Sequence, residues 1–115
     1  MTIDAKTLRN VRLFATLEEP SGFQITNAVE QPFQRGAVIV RAQEPARSVF
    51  IVREGGVKEM QVTPEGKEVI LALHGPGDLF GEMATFNGNT APTTAVAVTS
   101  SRVLVVPRED WLQLL

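Results

Sequence analysis

Gly75-Pro76-Gly77-Asp78-Leu79-Phe80-Gly81-Glu82-Met83-Ala84 is the stretch whose reading decides the fold. Three glycines and a proline within residues 75–81 do not suit the interior of a strand. The pattern predicts a turn, then a tight loop that opens a short helix at about Glu82. Backbone amides at such a helix start point outward and attract an anion. The Glu82 carboxylate can accept hydrogen bonds from ligand hydroxyls. Taken by themselves, these residues are read most simply as a Gly/Pro corner of a β-roll.

On both sides of this corner the chain has the texture of a β protein. From Pro32 onward, short Val/Ile runs alternate with Gly and Pro every 8–12 residues or so, the rhythm of a sandwich or barrel. Strands are predicted at 37–41, 48–53, 57–62, 67–73, 94–98 and 102–106. Alternation within them points Val38, Val40, Phe50, Val52, Ile70, Leu104 and Val106 inward. Thr63-Pro64-Glu65-Gly66 reads as a hairpin turn, because Pro64 presets φ and Gly66 accepts a positive one. Ahead of the strands, Leu8, Val11, Phe14 and Leu17 mark one face of a short helix over 4–17, with Asp4 as N-cap. Phe23, Ile25, Ala28 and Val29 suggest a weaker second helix over 23–30. A last helix starts near Arg108. It ends on the apolar run Trp111-Leu112-Gln113-Leu114-Leu115, which suggests that the natural chain continues.

Composition agrees with one mainly β domain. The 115 residues include 14 Val, 5 Ile and 10 Thr, so 29 are β-branched. Cys is absent, which excludes disulfides, thiol nucleophiles, iron–sulfur clusters and Cys-ligated zinc. A single His, His74, leaves too few ligands for a multi-His metal site or a cupin-type enzyme, and no Ser-His-Asp triad can be argued. No catalytic or metal-binding residue is therefore expected, and the chain is read as a non-enzyme. The net charge of −2 lacks the bulk basicity that drives nucleic-acid binding. No apolar run approaches the ~20 residues of a membrane span, and no signal peptide is evident, so a cytoplasmic location is expected.

In order, the segments resemble a known family. Leu13-Phe14-x-x-Leu17 is followed by Gln34-Arg35-Gly36-Ala37-Val38-Ile39, and then by Val49-Phe50-Ile51-Val52-Arg53-Glu54-Gly55-Gly56-Val57-Lys58. The Gly75–Ala84 run comes last. The set is similar to the cyclic-nucleotide-binding sensor domain of the cAMP receptor protein / fumarate-nitrate regulator (CRP/FNR) superfamily of bacterial transcription regulators. The resemblance implies an eight-stranded jelly-roll β-roll with flanking short helices. It divides the chain into helices at about 4–30, a roll at about 32–107 and the start of a helix at 108–115. It implies a ligand pocket between the roll and a phosphate-cassette helix.

The site residues implied are Gly81, Glu82, Met83, Ala84, Ala91, Pro92 and Thr93. In the family pattern the Glu binds a ribose hydroxyl, and the small residue at Ala84 offers an N–H to the cyclic phosphate. An Arg and a small residue with a free N–H are then expected where Ala91 and Pro92 stand. Ala91 has no charge, and Pro92 has no N–H. From Glu68 to Ser101 there is no Lys or Arg at all. A charge-assisted hydrogen bond contributes roughly 1.5–3 kcal/mol, so losing the Arg alone weakens binding about 10–100-fold. Arg41, Arg47, Arg53 and Lys58 are the cations that other segments offer instead. The cofactor is thus unknown: a cyclic nucleotide is what the resemblance implies, and Ala91 and Pro92 stand against it.

The resemblance further implies a small-molecule effector and a homodimer formed through a helix after Leu115. It implies DNA contact only through a C-terminal domain absent from this chain, and no membrane partner. The alternative is a β-roll used as a protein-interaction module, or as the regulatory domain of a channel or kinase. His74 is read as a strand-end residue with a satisfied hydrogen bond, although some superfamily members are haem sensors. Trp111 is read as a packing anchor. Glu54, Lys58 and Glu59 are read as a solvated face, and Asn87-Gly88-Asn89 as a turn.

Overall fold

The computed structural model describes residues 3–4, 24–25, 28–82 and 90–113. Strands β1 (Ile3–Asp4) and β2 (Gln24–Ile25) pair with each other. The roll is made of β3 (Val29–Phe33), β4 (Val38–Val40), β5 (Ser48–Glu54), β6 (Val57–Val62), β7 (Glu68–His74), β8 (Leu79–Phe80), β9 (Thr94–Ala97) and β10 (Ser101–Pro107). Helix α1 (Arg108–Gln113) follows. One antiparallel sheet has the order β3-β10-β5-β8 and the other β4-β9-β6-β7. Eight strands in two crossed-over sheets match the jelly-roll expectation.

β5 shows why the fold closes. It lies between β10 and β8, and Val49 to Val52 are all buried. Its two faces serve two cores. Phe50 and Val52 pack with Val57, Phe80, Ala95 and Val103 between the sheets. Val49 and Ile51 pack outward with Leu104, Val106, Ala28 and Trp111. Burying a side chain of this size contributes roughly 1.5–3 kcal/mol. Trp111, 1% exposed, thus anchors α1 against the outer face of the first sheet, as its packing role predicts.

The predicted turn is present. The Gly66 N–H donates to Thr63 O at 2.9 Å, and the Thr63 N–H to Lys67 O at 2.8 Å. Two expectations need correction. The helix expected over 23–30 is not seen: Gln24–Ile25 is strand, and Val29 opens β3. β3 carries Pro32, which an edge strand tolerates because one side of it needs no ladder donor. Ile70 is 54% exposed rather than interior. β7 is an edge strand, and the register shift between Glu59 and Met60 sets Met60 opposite Ile70 and leaves Leu71 unmatched. The helix expected over 4–17 and the turn at 87–89 lie outside the described residues, apart from Asp4, which is in β1.

Candidate functional site

The corner at Gly75–Gly81 is built onto the central strand β5. Gly75 N–H donates to Asp78 Oδ2 at 2.8 Å, and Asp78 N–H to Gly75 O at 3.0 Å. Gly77 N–H then donates to Val52 O, and Val52 N–H to Asp78 O, so the turn is clamped to β5. Gly81 has φ +85°, and a Cβ there would stand 3.1 Å from the Phe50 ring. Only glycine suits both the conformation and the close approach. Glu82 is helical, as the start predicted there requires.

Opposite this corner, two segments are stitched together. Pro45 and Thr90 form an isolated antiparallel bridge. Ala91 N–H donates to Glu44 O at 2.7 Å, and Gln43 N–H to Ala91 O at 2.8 Å. Ala42 N–H donates to Thr94 Oγ1 at 3.0 Å. The Arg47 carbonyl accepts from Arg108 N–H at 2.9 Å, which ties the same loop to the start of α1.

Between these walls is a cavity of about 300 Å3 lined from both sheets. Of the sequence-predicted residues, Gly81, Glu82, Ala91, Pro92 and Thr93 line it, while Met83 and Ala84 lie outside the described residues. Ala91 is 7% exposed. Both of its backbone groups are committed to Gln43 and Glu44, and Pro92 has no N–H. Ala91 and Pro92 therefore offer neither a guanidinium nor a backbone donor to a ligand anion.

Three residues that the sequence reading assigned elsewhere, or left unplaced, also line the cavity: Arg47, Glu59 and His74. Arg47 is the one of the four candidate cations on its wall, and it is exposed. Arg41 lies 4.0 Å from Glu44, and Lys58 lies 3.6 Å from Glu68. Glu59 is not a solvated residue; its side chain is only 21% exposed. His74 Nε2 stands 3.2 Å from Glu59 Oε2, but out of line for a hydrogen bond, so this buried nitrogen has no formed bond. The group nearest this nitrogen is thus a carboxylate on the neighbouring strand. The His74 ring stacks on Phe80 at 5.2 Å and 19°, and Phe80 stacks on Phe50 at 5.0 Å and 16°. Among the described residues no cluster of three or more His, Cys, Asp or Glu is arranged to hold a metal ion, and no helix is long and apolar enough to cross a membrane.

Residues 30–115 match the family model described as cyclic nucleotide-binding domain. The chain is 31% identical over 99 residues to the CRP-like cAMP-activated global transcriptional regulator of Mycobacterium tuberculosis, covering 82% of this chain and 44% of that protein. It is 34% identical over 96 residues to the fumarate and nitrate reduction regulatory protein of Vibrio cholerae, covering 82% and 38%. The Thermus thermophilus catabolite activator protein superposes with a TM-score of 0.71 at 32% identity, over 76% of this chain and 41% of that one. The sensor domain of the transcriptional regulator DNR from Pseudomonas aeruginosa gives 0.78 at 26% identity, over 92% and 72%. The chain spans less than half the length of the two regulators it matches in sequence. With the roll, the glycine corner and these matches together, the chain belongs to the cyclic nucleotide-binding domain family, in its CRP/FNR-type branch.

Proposed function

We propose that this domain is the effector sensor of a CRP/FNR-type transcription regulator, and that its pocket no longer holds a cyclic phosphate. The observation that carries the second half is the wall at Ala91–Pro92. There the Ala91 N–H is committed to Glu44 O, Pro92 has none, and no Lys or Arg occurs from Glu68 to Ser101. A buried phosphodiester needs paired donors, and Ala91 and Pro92 supply none. Gly81 and Glu82 remain at the cavity, where the family pattern puts its ribose contact. The role is regulatory and non-enzymatic, in the cytoplasm. DNA contact and homodimerisation belong to a following helix and a C-terminal domain of the parent protein. The whole of residues 1–115 acts as one sensor domain.

Calorimetric titration with cAMP tests this. The natural sequence should bind weakly or not at all. Ala91→Arg combined with Pro92→Ser should improve cAMP binding at least tenfold, because Arg restores a planar donor array and Ser a free N–H. Micromolar binding by the natural sequence, or no gain in the double variant, would refute the reading.

A further inference from the structure

The cavity lining includes a polar pair, Glu59 and His74, outside the residues of the phosphate site. Glu59 and His74 come from neighbouring strands, β6 and β7. Val57 is paired directly with His74, and Glu59 follows two residues on, so all three side chains share one face of the sheet. That face is the inner one, since Val57 is fully buried in the core between the sheets. A carboxylate and an imidazole placed there lose most of their hydration, with side chains 21% and 15% exposed. Their atoms stand 3.2 Å apart without forming a hydrogen bond. Both groups line the cavity, so their polar atoms are placed to meet a ligand there. The same His74 ring ends a stack of three nearly parallel rings with Phe80 and Phe50, all of which line the cavity.

Charge decides which ligand suits this arrangement. Glu82 adds a second carboxylate to the lining. The one Arg of the lining, Arg47, is exposed and comes from the β4–β5 connection rather than from the strands that bear the pair. An anion placed against the pair would set another negative charge beside Glu59. A flat cation does the reverse: it gains charge-assisted bonds to a partly dehydrated carboxylate. Its ring can also lie against the aromatic wall.

Resting on the sensor reading above, we propose that Glu59 and His74 are the ligand-reading pair of this pocket. The ligand class is a planar aromatic amidine or amino-heterocycle with two adjacent N–H donors. One N–H is donated to the Glu59 carboxylate and the other to His74 Nε2. The ring packs beside His74 and Phe80. The effector would thus be neutral to cationic and free of phosphate.

Titration calorimetry with 2-aminobenzimidazole as probe, and indole-2-carboxylate as its flat anionic counterpart, tests the assignment. The natural protein should bind the amine and not the carboxylate. Glu59→Gln should weaken amine binding at least tenfold while keeping side-chain shape, and Glu59→Asp should give an intermediate loss. His74→Phe, which keeps the stacked ring, should weaken it several-fold. Arg47→Met, which removes a cation from the lining, should not weaken it. Thermal unfolding of each variant shows whether the roll is intact. Amine binding that Glu59→Gln leaves intact overturns the proposal. Tighter binding of the carboxylate, lost in Arg47→Met, also overturns it but leaves the sensor reading standing. Failure of both probes overturns the amidine assignment alone, since the sensor reading is decided by the cAMP titration of the Ala91→Arg, Pro92→Ser variant.

Discussion

Strands β5 and β7 are both seven residues long and both are apolar through their middle, Val49–Val52 in one and Val69–Leu73 in the other. Their fates differ. Val49, Phe50, Ile51 and Val52 are buried, whereas Ile70, Leu71 and Leu73 are 50–69% exposed. Composition does not distinguish them; position does. β5 has a strand on each side and a core on each face. Among the described residues β7 is the edge of its sheet, with β6 as its one neighbour. The difference teaches that a continuous apolar run reports a capacity for burial, and that topology decides whether the capacity is used.

Substitutions can break this contrast. The largest effect is expected next to β5. Leu104, fully buried opposite Ile51, should cost roughly 2–5 kcal/mol as Leu104→Ala. A loss under 1 kcal/mol in denaturant unfolding would show that the core there is loosely packed. A middle effect is expected where the β5–β6 connection meets β10. A Cβ at Gly55, φ +86°, would collide with Ser101 Oγ and stand 2.5 Å from Ser100 O. Gly55→Ala should therefore cost roughly 2 kcal/mol or more. Gly66, at φ +83° on the β6–β7 hairpin but with nothing within 4 Å, should lose only the conformational part, about 1 kcal/mol, as Gly66→Ala. Equal losses at the two glycines would mean that the close approach of Gly55 to Ser101 is not rigid. The smallest effect is expected on β7, where Leu73→Ser should change stability by no more than about 0.5 kcal/mol. A loss above 2 kcal/mol would show that Leu73 is covered in solution.

The same contrast explains what could be read from the chain alone. The roll was legible because most of its strands carry Val/Ile runs separated by Gly and Pro, and the corner at Gly75–Glu82 has few other uses. β3 was not legible, since Glu30, Gln31 and Pro32 give an edge strand no apolar signature. At the site, Gly81 and Glu82 were found from the glycine corner, and Ala91 and Pro92 from what the family resemblance implies at those positions. Glu59 was missed, although a signal existed: with Val57 inward, a period of two turns Glu59 inward as well. Arg47 lies on an irregular connection, where no periodicity places a side chain. His74 was seen, but its approach to Glu59 depends on the pairing of β6 with β7, which its own neighbours in the chain do not reveal.

The order in which strands find partners also has a consequence in time. β6 and β7 adjoin in sequence and close through the turn at Thr63–Gly66. The Ser101 hydroxyl that accepts the Gly56 N–H lies 45 residues away, and the β5–β10 ladder spans a similar distance. Loop-closure entropy delays such pairings relative to local hairpins. A chain leaving the ribosome therefore has its exposed hairpin ready early, while Val49–Val52, the most deeply buried run, waits for Ser101–Pro107 to emerge. Pulse-labelled hydrogen exchange during refolding should show the β6–β7 amides protected before those of β5. The opposite order would mean that the roll nucleates at its longest-range ladder.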